Sequence, residues 1–188
     1  GSGDPEEQTG AQPAEQSAME ELQALIGLDS VKREVEKEVQ PHRLQQERRA
    51  RGMKVTPVSM HMVFTGNPGT GKTTVARLIA RAYHEMGLLE KDEVVEVDRS
   101  ALVGDVIGAT EKKTSSYIEQ AMGGVLFIDE AYALAAEGGS NDFGPKAIEV
   151  LLKAMEDHRD KFMVIAAGYS REMQRFIDSN TGLKSRFK

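Results

Sequence analysis

The stretch that most restricts how this chain can fold is Gly66-Asn67-Pro68-Gly69-Thr70-Gly71-Lys72-Thr73, a glycine-rich turn between an apolar run and an amphipathic one. Its spacing matches G-x-x-x-x-G-K-[ST]. Glycines let the backbone turn with its N–H groups facing inward around phosphate oxygens, where side chains would collide. A helix opening directly after the turn adds partial positive charge at its N-terminus. The pattern predicts a strand, a phosphate loop and a helix in succession, with Asn67, Pro68, Gly69, Thr70, Gly71, Lys72, Thr73 and Thr74 around a bound nucleotide. Lys72 is expected on the β- and γ-phosphates, and the Thr73 hydroxyl on Mg²⁺.

The rest of the chain supplies the elements such a loop needs. Met60–Thr65, Val94–Val97, Val125–Ile128 and Phe162–Ala167 read as short apolar strands. Helices are expected over Thr73–Met86 with a stop at Gly87, Lys112–Met122, Pro145–His158 and Ser170–Asp178. Strands this apolar, alternating with helices, predict a three-layer αβα fold around a parallel sheet covered on both faces. Upstream, Ser17 with Glu20 forms a capping box for a helix that carries Met19, Leu22, Leu25 and Ile26 and ends at Gly27. A second helix begins after Asp29-Ser30, and Pro41 is expected to kink or end it. The charge run from there to Arg51 reads as a solvated face. Residues 1–16 hold no apolar side chain larger than alanine and are expected to be disordered, with Gly1-Ser2-Gly3 an expression scar. Residues 17–188 are then expected to form one well-buried α/β domain.

Val125-Leu126-Phe127-Ile128-Asp129-Glu130 puts two acids at the end of an apolar strand. Open α/β sheets bind ligands at the carboxyl ends of their strands. Asp129 is expected to hold Mg²⁺, directly or through water, and Glu130 to orient or deprotonate an attacking water. From these two motifs alone a GTPase, a kinase and a helicase all stay open. The formal charge of −6 argues against a general nucleic-acid or anionic-membrane surface. The absence of cysteine excludes disulfides and thiolate metal sites. No apolar run reaches membrane-spanning length, and a cytoplasmic location is expected. His42, His61, His84 and His158 lack zinc-like spacing and read as surface or packing residues.

Taken together, these segments resemble AAA+ ATPases of the CbxX/CfqX group, which includes red-type rubisco activases, stage V sporulation protein K and type VII secretion ATPases. The resemblance runs from about Met19 to Phe187. It is carried by Ile26-Gly27-Leu28, Val63 to Arg77, Val97-Asp98-Arg99-Ser100, Leu126 to Leu134, Ala167-Gly168-Tyr169 and Gly182 to Phe187. It implies the large subdomain of an AAA+ P-loop NTPase, cut before the helical lid. It implies ATP and Mg²⁺ as ligands and a homo-oligomeric ring, a hexamer at full length, acting on an unidentified protein client. By the same resemblance Leu25, Ile26 and Gly27 cradle the adenine, and Arg186 is an arginine finger reaching a neighbour's γ-phosphate. Weak turnover is expected of a piece without the lid.

Two positions depart from the family pattern. Val106, within Gly104-Asp105-Val106-Ile107-Gly108, stands where a pore loop usually carries an aromatic residue, which puts strong threading of a polypeptide in doubt. The γ-phosphate sensor after the fourth strand is not explicit, with Tyr169 and Ser170 as candidates. Remodelling of a protein client is the leading functional expectation. A nucleotide-gated assembly module with slow or no hydrolysis is the alternative, and phosphoryl transfer to a small acceptor is a third.

Overall fold

The computed structural model describes residues 29–55, 59–66, 71–135 and 143–187. The tail 1–16, the helix expected over Ser17–Gly27 with its adenine contacts Leu25, Ile26 and Gly27, the loop residues Asn67 to Thr70, and the loop 137–142 lie outside the described residues.

The described elements are α1 (Asp29–Ala50), β1 (Met62–Thr65), α2 (Lys72–Glu85), β2 (Val94–Val97), α3 (Arg99–Leu102) and α4 (Ala109–Ala121). They continue with β3 (Val125–Ile128), a 3-10 turn at Ala131–Ala135, α5 (Gly144–Asp157), β4 (Met163–Gly168), α6 (Ser170–Asp178) and α7 (Thr181–Arg186). The four strands pair in parallel in the order β1-β4-β3-β2. Strand side chains alternate between two cores. Val125, Phe127, Met163, Ile165 and Ala167 pack with α1 and α2, against Val35, Val39, Val75, Ile79 and Tyr83. Val97, Leu126, Ile128, Val164 and Ala166 pack on the other face with Leu102, Ile118, Leu151, Met155 and Met173. This is the expected three-layer αβα arrangement. Each large apolar side chain buried this way contributes roughly 1.5–3 kcal/mol.

Local chemistry explains the element ends. α2 stops where Gly87 takes φ 78, and the Leu88 N–H returns to the Tyr83 carbonyl at 2.9 Å. α5 carries its proline in the first turn. Two short helices were not foreseen, being too short to show a period. Both have side-chain caps: Asp98 accepts the Ala101 N–H at 3.1 Å, and Asn180 accepts the Gly182 and Leu183 N–H groups at 2.8 and 3.2 Å. Pro41 does not end its helix, because α1 runs through it to Ala50. The lost backbone bond is offset by burial of Val35, Val39 and His42 along one face, with the His42 ring edge-on to Tyr83 at 5.5 Å.

His61, just ahead of β1, extends the sheet with its ring. Its Nδ1 accepts the Val164 N–H at 3.0 Å, and the ring lies 6.1 Å from those of Phe162 and Phe187. Only the neutral imidazole can accept that bond. Burial, and then the Arg186 charge, push its pKa down to about 4. An unfolded histidine takes a proton near pH 6.5, so this contribution to stability is fully present above that pH and is lost as pH falls towards 4. The loss over the window is about 3 kcal/mol. Urea unfolding at pH 7 and pH 4.5 should therefore show a smaller pH difference for His61→Gln than for the parent, since glutamine offers an acceptor but does not titrate. An equal difference in the two proteins would exclude His61 as the source.

Candidate nucleotide-binding site

β1 delivers the chain to the phosphate loop at its carboxyl end. Gly66 continues the strand ladder by donating its N–H to the Gly168 carbonyl at 3.1 Å. The loop re-emerges at Gly71, whose φ of 79 lies in the left-handed region that glycine accepts without strain. α2 begins at the next residue, so Lys72, Thr73 and Thr74 occupy its first turn. Lys72 reaches back to where the loop began, its Nζ donating to the Gly66 carbonyl at 3.2 Å. The Thr73 hydroxyl donates to Oε1 of Glu96 on β2 at 3.3 Å.

β3 delivers the two acids to the same edge. The Asp129 N–H bonds the Val97 carbonyl at 2.9 Å, extending the β2–β3 ladder by one residue. Asp129 Oδ1 accepts the Glu130 N–H at 3.0 Å. Glu130 takes φ 49, a left-handed conformation that costs a non-glycine residue roughly 1–2 kcal/mol. Strain of this kind concentrates at functional sites. Tyr132 stands beside the acids; burial, then the charge of Glu130, raises its phenol pKa above the usual value.

A cavity of about 300 Å³ joins these pieces, lined by Gly71, Lys72, Thr73, Thr74, Phe127, Asp129, Glu130, Gly168 and Tyr169. The loop lysine, the helix N-terminus and both acids thus share one wall-to-wall space. A hydroxyl and a carboxylate suit a hard cation such as Mg²⁺, which binds one or two protein oxygens and fills its other positions with phosphate and water. Among the described residues no group of three or more His, Asp or Glu forms an all-protein metal cage. Of the two sensor candidates, Tyr169 lines this cavity, whereas Ser170 lines a separate groove along β1.

A wider cleft of about 670 Å³ lies against the same acids, walled by Asp98, Arg99, Ser100, Val103, Gly104, Asp105, Lys113 and Phe143 among others. Its cations are tied to backbone: Arg99 donates to the Ala133 carbonyl at 2.7 Å, and Lys113 to those of Ser100 and Val103 at 2.9 Å each. Beyond it the Gly104–Gly108 loop exposes an apolar tip, Val106 at 65 % and Ile107 at 91 %.

Arg186 is not among the residues lining either cavity. Its side chain, 26 % exposed, pairs with Glu156 of α5 at 3.1 Å and also donates to Ser185 Oγ at 3.0 Å. No spacing in the sequence signals that ion pair. Glu96 was missed as well, although a lone charged residue inside Val94-Val95-Glu96-Val97 was a visible signal.

Residues 62–188 match the family model described as the ATPase family associated with various cellular activities, AAA. The chain belongs to the AAA ATPase family. This AAA domain is 49 % identical over 167 residues to stage V sporulation protein K of Bacillus subtilis, covering 89 % of the chain and 52 % of that protein. It is 48 % identical to the ESX-3 secretion system protein EccA3 of Mycobacterium tuberculosis, across 89 % of the chain and 26 % of the relative. It is also 48 % identical to the chromosomal CbxX protein of Cupriavidus necator, across 86 % of the chain and 51 % of the relative. These are members of the group the sequence resembles, and the chain spans about half or less of their lengths. The crystal structure of the FIGL-1 AAA domain in complex with ADP shares the fold, with a TM-score of 0.57 and 22 % identity, covering 86 % of this chain and 51 % of that one. Family membership carries nucleotide binding and ATP-driven activity in general, and AAA proteins typically oligomerise. No helix among the described residues is long and apolar enough to cross a membrane.

The strained Glu130 backbone yields a stability prediction. Glu130→Gly should unfold at a temperature no lower than the parent, because relief of about 1–2 kcal/mol at φ 49 offsets the added flexibility of the unfolded chain. A clear drop in Tm would show that the conformation is not strained.

Proposed function

We propose that this AAA domain binds ATP with Mg²⁺ in the 300 Å³ cavity and hydrolyses it to ADP and phosphate. In its full-length protein it would work as a subunit of a homo-oligomeric ring, a hexamer in the cytoplasm, that remodels a protein client. The observation that carries the chemistry is the convergence of Lys72, Thr73, Asp129 and Glu130 on one cavity at the carboxyl edge of the sheet. Lys72 exchanges the Gly66 carbonyl for phosphate oxygens, a stronger charge-assisted bond. Thr73 and Asp129 hold Mg²⁺, which when bound neutralises charge on the β- and γ-phosphates. Glu130 orients the attacking water and draws its proton, and Tyr169, which lines the same cavity, would be the γ-phosphate sensor. Leu25, Ile26 and Gly27 would contact the adenine, and Asn67 to Thr70 would wrap the phosphates with backbone N–H groups.

Arg186 would complete a neighbour's site, a contribution typically worth about 10³–10⁵ in turnover. A finger supplied in trans leaves the isolated chain with weak turnover. The exposed Val106–Ile107 tip supports contact with a client chain through apolar surface, without an aromatic grip. A second reading, nucleotide-gated assembly with slow hydrolysis, draws on the Arg186–Glu156 ion pair, which holds the finger within its own subunit. The relatives named for sporulation and for secretion leave the client open.

Two measurements test these readings. Lys72→Ala should abolish tight ATP binding, whereas Glu130→Gln in the full-length protein should bind ATP and lose at least about 10² in turnover. Undiminished turnover in Glu130→Gln would remove that carboxylate from the mechanism. Separately, a genuine client should stimulate ATP hydrolysis by the full-length ring. A ring that assembles with nucleotide yet shows no stimulation by any protein to which it binds would favour the assembly reading.

A further inference from the structure

Glu96 has no role in the site as set out above, yet it accepts a hydrogen bond from the Thr73 hydroxyl. It is the single charged residue in β2, a strand otherwise built of valine. Glutamate is disfavoured in strands, so its presence calls for a reason beyond propensity. Cross-strand register pairs it with Phe127, a residue of the nucleotide cavity wall, which sets Glu96 on the same sheet face as α2. From there its Oε1 lies 3.3 Å from the Thr73 hydroxyl at the start of that helix.

A threonine hydroxyl has one proton to give and two lone pairs to offer. To serve a cation it must direct its oxygen inward and send its proton elsewhere. In this structure that proton goes to Glu96 and not to Asp129, whose Oδ1 accepts the Glu130 N–H at 3.0 Å. We propose that Glu96 is a positioning residue for Mg²⁺: it accepts the Thr73 hydroxyl proton, fixes that rotor with its oxygen free for the cation, and adds negative charge behind the ligand. Carboxylates that orient a metal's direct ligands commonly account for about 10–100-fold in metal affinity. The proposal rests on the reading of Thr73 as a metal ligand and extends it by one residue. The competing account is a solvated carboxylate at a half-covered strand, which would have no bearing on the metal.

The test is the Mg²⁺ dependence of nucleotide binding in the intact chain, read by displacement of a fluorescent ATP analogue in Mg²⁺ and in EDTA. The parent should bind ATP more tightly with Mg²⁺, and Thr73→Val should lose that advantage. Glu96→Leu should lose about tenfold of it, and Glu96→Gln, a neutral acceptor, a smaller part. In EDTA the two Glu96 variants should bind as the parent does or slightly more tightly, because a repelling charge near the phosphates has gone. Thr73→Val/Glu96→Leu should be no worse than Thr73→Val alone, as expected when one residue acts through the other. Retention of the full Mg²⁺ advantage by Glu96→Leu, with its loss in Thr73→Val, would overturn the role of Glu96 while sparing the metal site. Equal weakening with and without Mg²⁺ would mark Glu96 as merely structural. An unchanged advantage in Thr73→Val would overturn the metal reading itself, and the proposal with it.

Discussion

Burial of β3 on both faces is the constraint from which the site follows. Val125, Leu126, Phe127 and Ile128 are each essentially without solvent contact, alternately facing the α1/α2 core and the core of the later helices. A strand so enclosed cannot slip by one residue without exchanging its entire set of side chains between two packed layers. Its register against Val94–Val97 and Met163–Ala166 is thereby set, and so is the height at which the chain leaves the sheet. Asp129 and Glu130 are the first residues past that exit. Hydrophobic packing, which is indifferent to chemistry, therefore fixes where the carboxylates stand relative to the loop that follows β1.

Much of this was legible because the information is local. The phosphate loop announces itself within eight residues, and β2, β3 and α6 fall on the expected boundaries because their apolar runs are bounded by turn residues or acids. α4 starts three residues before the expected Lys112, since Gly108 with φ 85 lets the chain turn into the helix earlier than its apolar period suggests. Pro41 misled in the other direction. Local propensity predicted a break, but burial against α2 outweighed it.

The features that escaped the sequence are non-local. The partner of Arg186 lies 30 residues away on α5, and Glu96 meets Thr73 across 23 residues. Neither pairing has a spacing signature. The positive φ of Glu130 was equally hidden, because nothing in Asp129-Glu130-Ala131 requires a left-handed turn until the β3 exit and the 3-10 turn, with Ala133 bonded back to the Glu130 carbonyl at 2.9 Å, are both in place. Backbone strain at such a residue is a product of the assembled fold.

The alternation of the sheet also divides the molecule. The helix that carries the phosphate loop packs on one face; the helix that carries Arg186 and the loop that exposes Ile107 belong to the other. The sheet thus acts as a partition between two chambers, one at the start of α2 and one opening towards the apolar tip. Asp129 and Glu130, seated on its rim, are the two residues common to the walls of both. Anything seated in either chamber therefore lies against the same pair of carboxylates.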